Sequence, residues 1–536
     1  MAKKLTFLLS LLIFSSLLFQ TALSRSHHRR PNPIQTWCNK TPHPVPCKYW
    51  LSHYPHRLTP KHTTDFRMQM VQVALERALS AKSYASQFET NCESKPQKAA
   101  WSDCLKLFDN TVHQLNRTLQ GLDTKHKKNC TNFDAQTWLS AALTNIHTCR
   151  DGSKELNVSD FINPIYMSNN NVSELISNGL AIGSQLLEKE NRTTSLGHDD
   201  ESYPSWLSNH DRRLLAATSI KANLVVAKDG SGHFRTVQAA LDLAAKRKRM
   251  TRFIIHVKKG VYRENIEVAN TNTNIMLVGD SLRYTIITGS RSVKGGYTTY
   301  NSATAGIDGP GFIARGITFS NTAGAIKGQA VALRSSSDLS VFYRCAFMGY
   351  QDTLMVHSQR QFYRECYIYG TIDFIFGNAA VVFQSCLIYV RKPLWGQVNV
   401  ITAQARNDPF QNTAISIHNS QVRAAPDLKP VVRYYKTYLG RPWMQYSRVV
   451  FMKCYLDSLI NPAGWLEWQR TNFALSTLYY GEYKNFGPAS STRYRVKWPG
   501  FHVITSANVA TSFTVGNLIA GRSWLPSTSV PFTSGL

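Results

Sequence analysis

The sequence predicts an N-terminal all-α four-helix bundle followed by a right-handed parallel β-helix, and three observations predict it. The apolar pattern steps by three and four residues from Asp65 to about Lys189, then changes to short β runs from Ala222 onward. Around residue 360 one motif recurs: Phe342-Tyr343-Arg344-Cys345, Phe362-Tyr363-Arg364-Glu365-Cys366 and Phe383-Gln384-Ser385-Cys386, with a later copy at Phe451-Met452-Lys453-Cys454. The spacing between the first three copies is 20 or 21 residues. All six N-x-Ser/Thr sequons (Asn39, Asn116, Asn129, Asn157, Asn171, Asn191) precede residue 213, which divides the chain into two parts of different character.

A period near 20 with short β-rich segments is the signature of stacked coils, one repeat per turn. Stacked strands lie about 4.8 Å apart, so residues one period apart in sequence become neighbours in space. A β-sandwich is the alternative, and the Phe and Cys repeats speak against it.

Residues 1–24 read as a secretory signal peptide. Lys3 and Lys4 precede an apolar run from Leu5 to Phe19, and Ala22-Leu23-Ser24 supplies small residues for cleavage. A spanning anchor would need a longer run than this one, which Ser10, Ser15 and Ser16 interrupt. Secretion makes the ten cysteines candidates for disulfides. It also shapes the reading of charge. The 536 residues carry a net +28, and the stretch from Leu214 onward holds 36 Lys+Arg against 15 Asp+Glu, a net +21. A domain so basic suits a polyanion, and outside the cell an acidic polysaccharide is a better partner than nucleic acid.

Residues 25–190 form the helical part. Cys38 and Cys47, nine residues apart with three prolines between them, favour a local bridge. Val71, Ala74, Leu75, Ala78 and Leu79 mark one apolar helix face, and Leu105, Phe108, Val112, Leu115 and Leu119 a second. Trp138, Ala142, Ile146 and Cys149 mark a third, and Val172, Leu175, Ile176 and Leu180 a fourth. Such helices pack as an antiparallel bundle. A bridge from Cys104 to Cys149 would lock two of them, while Cys92 and Cys130 could pair with each other, a pairing that sequence alone does not fix. Residues 191–220 read as a linker ending in Arg212-Arg213-Leu214-Leu215, a dibasic processing site. Residues 221–536 form the β part, with one helix, Val237 to Lys246, capping an end of the stack.

The chemistry centres on two acids. Asp352, in Gly349-Tyr350-Gln351-Asp352-Thr353-Leu354, and Asp373, in Asp373-Phe374-Ile375-Phe376-Gly377, are 21 residues apart. In-register coils would set them side by side. Two adjacent carboxylates cannot both ionise easily, so one pKa rises and the other falls, which yields a proton donor and a nucleophile. Arg441, in Leu439-Gly440-Arg441-Pro442-Trp443, is the candidate cation that keeps one acid charged. Gln351 and Gln329 offer neutral amides for a developing oxyanion. Each residue alone would more often be a turn acid, a surface cation or a core side chain, and their joint occurrence in glycine-flanked motifs favours a site. No Gly-x-Ser-x-Gly, Cys-x-x-Cys or His-Glu-x-x-His pattern occurs, Gly230-Ser231-Gly232 reads as a turn, and His357 as a hydrogen-bonding histidine.

Five motifs in order, Gly260-Val261-Tyr262-Arg263-Glu264, Gln329 to Arg334, Gly349 to Leu354, Asp373 to Gly377 and Leu439 to Trp443, resemble the signature of plant pectin methylesterases. Pro462 to Trp468 and Tyr479 to Tyr483 extend the likeness over about residues 220–536. The helical part resembles the pectin methylesterase inhibitor domain that precedes many such enzymes, and Arg212 to Leu215 is similar to the family's cleavage motif. The resemblance implies a secreted cell-wall enzyme that hydrolyses methyl esters of homogalacturonan without cofactor or metal. Asp373 would be the nucleophile, Asp352 the acid and base, and Gln351 the oxyanion donor. Thr299, Gln329, Arg441 and Trp443 would hold substrate, and Cys366–Cys386 would be a disulfide. It further implies an autoinhibitory helical domain, a processing protease at Arg213, inhibitor proteins as partners, and no membrane or nucleic-acid partner. Met355 departs from the usual aromatic, which puts one substrate contact in doubt. A β-helix lyase or polygalacturonase, and a non-enzymatic wall-binding or inhibitor protein, are the competing readings.

Overall fold

The computed structural model describes residues 33–53, 60–87, 89–123, 130–168, 171–194, 221–248 and 251–536. The expected signal peptide, the Asn129 sequon, almost all of the linker and the Arg212–Leu215 motif lie outside the described residues.

Four long helices build the N-terminal part: α1 (Thr63–Ser86), α2 (Lys95–Leu122), α3 (Asn132–Glu155) and α4 (Val172–Thr194). Shorter helices, Pro33–Cys38, Pro44–His53 and Ser159–Ser168, accompany them. Ser94 caps α2 and Thr131 caps α3, each in a reciprocal box with the residue three further on, Gln97 and Asp134. The apolar stripes meet in one core around Phe66, Phe108, Leu115, Leu139 and Leu180, whereas Leu79 falls outside its stripe and is 45 % exposed. Cys38–Cys47 and Cys104–Cys149 are disulfides, the second tying α2 to α3.

From Leu224 the chain winds through parallel sheets of eleven, eight and seven strands, and successive coils add one strand to each. Val237–Ala245 is helical and packs beside the first strands. The turn between the eleven-strand and eight-strand sheets repeats one device. Arg344, Glu365, Ser385, Asn419, Lys453 and Lys484 all take the left-handed conformation, with φ between 47° and 56°. The residue after each is Cys345, Cys366, Cys386, Ser420, Cys454 and Asn485, a polar or thiol column on the inside of the turn.

This column sets the register, and it corrects two expectations. Phe342 lies opposite Tyr363, not Phe362, and Tyr363 opposite Phe383. Glu365 is an extra residue in its copy of the motif, so aligning the left-handed residues slides the aromatic by one. In a strand, one residue is one face. The inner ladder is therefore Phe342, Tyr363 and Phe383, with ring centroids 4.7 and 4.5 Å apart, while Phe362 packs on the outer face with Val341 and Val382. The second correction is Cys366–Cys386, which is not bridged: both are buried thiols. Stacked parallel coils hold equivalent Cβ atoms at about the 4.8 Å strand spacing, beyond the ~3.8 Å a disulfide prefers. The thiols instead donate to backbone carbonyls, Cys366 to Phe342 at 3.2 Å and Cys386 to Tyr363 at 3.6 Å.

Candidate active site

Asp352 and Asp373 occupy equivalent turns of adjacent coils, each immediately before a strand of the seven-strand sheet. Leu354 pairs with Ile375, two residues beyond each acid, and the Asp352 N–H donates to the Ile372 carbonyl at 3.0 Å. Both acids have left-handed backbones, φ 61° and 49°. Aspartate tolerates that region better than most side chains, and such backbones concentrate at working sites. Both are at most 8 % exposed.

The two carboxylates differ in their partners. Arg441 grips Asp373 through Nε at 2.9 Å and Nη2 at 2.5 Å. Arg441 is in turn stacked over Trp468, 4.7 Å from the ring centroid, and its N–H donates to the Thr402 carbonyl at 3.0 Å. Burial raises the Asp373 pKa by more than the guanidinium lowers it, so, contrary to the expectation from sequence, this acid does not fall below the ordinary carboxylate range. Asp352 has no such ion pair. Burial, the charge of Asp373 and then that of Glu155 push its pKa well above the usual carboxylate range. Of the pair, Asp352 holds its proton to higher pH.

Around these acids lies a cavity of about 660 Å³. Thr299, Gln329, Gln351, Asp352, Asp373, Arg441 and Trp443 all line it, so the structure brings every sequence-predicted site residue other than the two column cysteines to one place. Met355 lines it too, beside Phe376 and Trp443, whose rings are 5.9 Å apart. His357 is not part of this wall. It is buried, bonded to Ser336 at 3.0 Å and Thr148 at 2.8 Å, and burial lowers its pKa to about 3.

The roof of the cavity is the C-terminal end of α3. Asp151 and Glu155 lie over the groove, and Glu155 accepts the Thr299 backbone N–H at 2.7 Å and the Thr299 hydroxyl. Burial raises the pKa of both acids. Sequence reasoning missed these two, and a signal existed. Carboxylates in the last turns of a helix oppose its dipole, so Asp151 and Glu155 are misplaced unless something outside the helix receives them. It also passed over Trp468, although that residue stands in a motif already singled out.

A family model described as Pectinesterase matches residues 223–522, and one described as Plant invertase/pectin methylesterase inhibitor matches residues 32–182. The chain belongs to the pectinesterase family. Among its relatives, Probable pectinesterase/pectinesterase inhibitor 60 of Arabidopsis thaliana is 58% identical over 100% of this chain and 99% of its own length. Pectinesterase 2 of Citrus sinensis is 52% identical over 100% of both chains. Among solved structures, the pectin methylesterase from carrot is 55% identical, covers 60% of this chain and 100% of its own, and superposes with a TM-score of 0.59. This pectinesterase is therefore an esterase acting on pectin, with an inhibitor-like helical domain ahead of its parallel β-helix. Among the described residues no helix is long and apolar enough to cross a membrane.

Proposed function

We propose that this pectinesterase is an aspartyl esterase that demethylates homogalacturonan in the plant cell wall after secretion. The observation that carries the reading is the unequal treatment of two neighbouring carboxylates, one gripped by Arg441 in an ion pair and the other only within reach of its charge. Asp373, ionised beside the guanidinium, attacks the carbonyl carbon of the methyl ester. The Gln351 amide donates to the oxygen that becomes negative, with Gln329 beside it. Asp352 gives its proton to the departing methoxide, so methanol leaves and an acyl anhydride remains on Asp373. Water then attacks the acyl carbon and gives a proton to Asp352. Asp373 departs as carboxylate, and the galacturonate unit is released as the free acid. Thr299 and Trp443 hold the sugar, Trp443 through its ring face.

The helical domain is read as an autoinhibitory cover, with cleavage near Arg213 as its release, over a domain layout of residues 25–190 and 221–536. Support comes from Glu155, whose carboxylate occupies Thr299 as a substrate carboxylate would, and from the α3 roof over the acid pair. Separate proteins of the inhibitor type would compete for the same groove once the cover is gone. The decisive experiment is Asp373→Asn in the secreted protein, assayed for methanol release from methylated pectin. Loss of release with intact binding of the polymer is expected. Turnover at the wild-type rate would defeat the mechanism. Viscosity loss without methanol would instead point to a chain-cleaving enzyme.

A further inference from the structure

Beyond the acid pair, the same turn of the next two coils carries a feature that the chemistry above does not use. Residues 391–398 and 425–436 are these turns. They are fastened to the site: Arg391 donates to the Gly349 carbonyl at 3.0 Å and the Tyr350 hydroxyl at 2.7 Å, and Val400 N–H to the Thr371 carbonyl at 3.0 Å. The second loop joins the first where Asn399 N–H donates to the Lys436 carbonyl at 2.9 Å.

At the tip of the first loop stands Trp395, 84 % exposed, beside Leu394 at 40 %. This is a built turn. Gln397 N–H donates to the Leu394 carbonyl at 3.1 Å, the Gln397 side chain accepts the Leu394 N–H at 3.0 Å, and Gly396 supplies the positive φ of 79° that the third residue of a type II turn requires. Tyr435 braces the indole in an edge-on contact at 6.4 Å and 82°. Tyr434, 57 % exposed, is held by the Arg433 guanidinium, which donates to its hydroxyl at 2.6 Å. Around the rings Lys392, Lys429, Arg433 and Lys436 are exposed. The acid on these loops is Asp427, and it already pairs with Arg391 at 3.2 Å.

Rigid, exposed aromatic faces ringed by cations fit a polymer of sugar rings bearing carboxylates: the rings stack on the indole and phenol, and the carboxylates meet the lysines and Arg433. We propose that Trp395, Tyr434, Arg433 and Lys436 form an accessory site for de-esterified stretches of the acidic polysaccharide, continuous with the groove but outside the helical cover. This rests on the reading that the substrate is homogalacturonan. Because the patch stays exposed while α3 roofs the acid pair, the covered protein would already hold the polymer.

The test uses the secreted full chain and polygalacturonate without methyl esters, in affinity electrophoresis, with Trp395→Ala and the Arg433→Ala/Lys436→Ala double variant. The wild type should be retarded at low salt and released at high salt, and each variant should bind at least about fivefold more weakly. A neutral glucan should retard none of them. After cleavage near Arg213, methanol release from a methylated oligomer short enough to fill only the groove should match wild type in both variants. Equal retardation of Trp395→Ala and wild type overturns the proposal. So does a proportional loss of short-oligomer hydrolysis, which would make the loops a support for the acid pair. Loss of self-association in place of polymer affinity would assign the patch to a second copy and overturns it as well. Failure of the wild type to release methanol even after cleavage near Arg213 would instead defeat the parent reading, whatever the gels record.

Discussion

Glu155→Ala tests the cover where its contact is most specific. The Glu155 carboxylate accepts two hydrogen bonds from Thr299, one from the backbone N–H at 2.7 Å and one from the hydroxyl. A hydrogen bond to a charged group contributes ~1.5–3 kcal/mol when lost from a buried setting. Glu155 is only partly buried, so screening places the sum near the low end, about 2–3 kcal/mol for both. At ~1.4 kcal/mol per tenfold, the open form of the uncleaved chain should rise roughly 30- to 150-fold. The assay is methanol release by uncleaved protein, expressed as a fraction of the rate after cleavage. Alanine should raise that fraction by the stated factor, and Glu155→Gln, which keeps an acceptor oxygen but no charge, should raise it less. The cleaved enzyme's own rate should be the same from all three, since Glu155 is then gone. A fraction within twofold of wild type for Glu155→Ala would refute the idea that this contact holds the groove shut.

The remaining predictions concern pH, the cation and the disulfides. Asp103, on α2, is bonded by the Thr298 hydroxyl and buried, and burial pushes its pKa up to about 7. A docked pKa above the free value means that docking gains from the bound proton below about pH 4 and loses that gain as pH rises towards 7. The activity of uncleaved wild type relative to Asp103→Asn should therefore climb across that window, and a flat ratio would contradict the assignment. The difference between the two proteins isolates Asp103 from His147 and His357, whose burial-lowered pKa values act in the opposite sense. Arg441→Gln removes the cation from Asp373, so the acid limb of the pH–rate profile should move to higher pH and the rate at neutrality should fall by ~100-fold or more. Reduction should strip roughly 6–7 kcal/mol from the helical domain, the loop-closure values of ~4 for the 45-residue Cys104–Cys149 loop and ~2.6 for the 9-residue Cys38–Cys47 loop, while calorimetry finds the β-helix transition unmoved. A drop in that transition would reveal a bridge in the Cys345–Cys454 column.

How much was legible in the sequence depends on what each residue's position reports. The pairing of Asp352 with Asp373 was readable because acids and strands share the 21-residue step that the Leu354–Ile375 pairing obeys. The aromatic ladder was misread by one residue because sequence similarity aligned Phe342 with Phe362, whereas the backbone aligns the left-handed Arg344 with Glu365. Backbone handedness leaves little trace when Arg, Glu and Lys occupy the turn instead of glycine. Cys366 and Cys386 were close enough in sequence period to suggest a bridge, and the ~4.8 Å spacing of stacked strands, which leaves them as thiols, is not written in the period. Glu155 and Asp151 left only the faint signal of acids near a helix C-terminus, because a contact between domains has no period at all.

The character of the domain contact follows from what each side must tolerate alone. The buried cations of the β-helix carry their own partners within it: Arg334 with Asp308 at 2.5 Å, Arg360 with Asp338 at 2.9 Å, Arg441 with Asp373. The helices add second partners to the same clusters, Lys106 to Asp308 at 3.0 Å and Asp134 to Arg360 at 2.6 Å. Removing one member of an isolated buried pair leaves an uncompensated charge at several kcal/mol, and this arrangement avoids that on the enzyme side. Most remaining contacts are neutral polar ones that water can replace, such as Thr144 with Asn378 at 2.9 Å and Thr148 with His357 at 2.8 Å. Of the apolar β-helix residues packed with the helices, Tyr300, Met355, Phe376, Ala403 and Trp443 belong to the wall of the groove itself, while Ala303, Val331 and Phe410 lie outside it. Much of the apolar surface that lifting the helices would expose on the β-helix is thus surface a sugar ring would also use, the property that the proposed removable cover needs and a permanent interface does not.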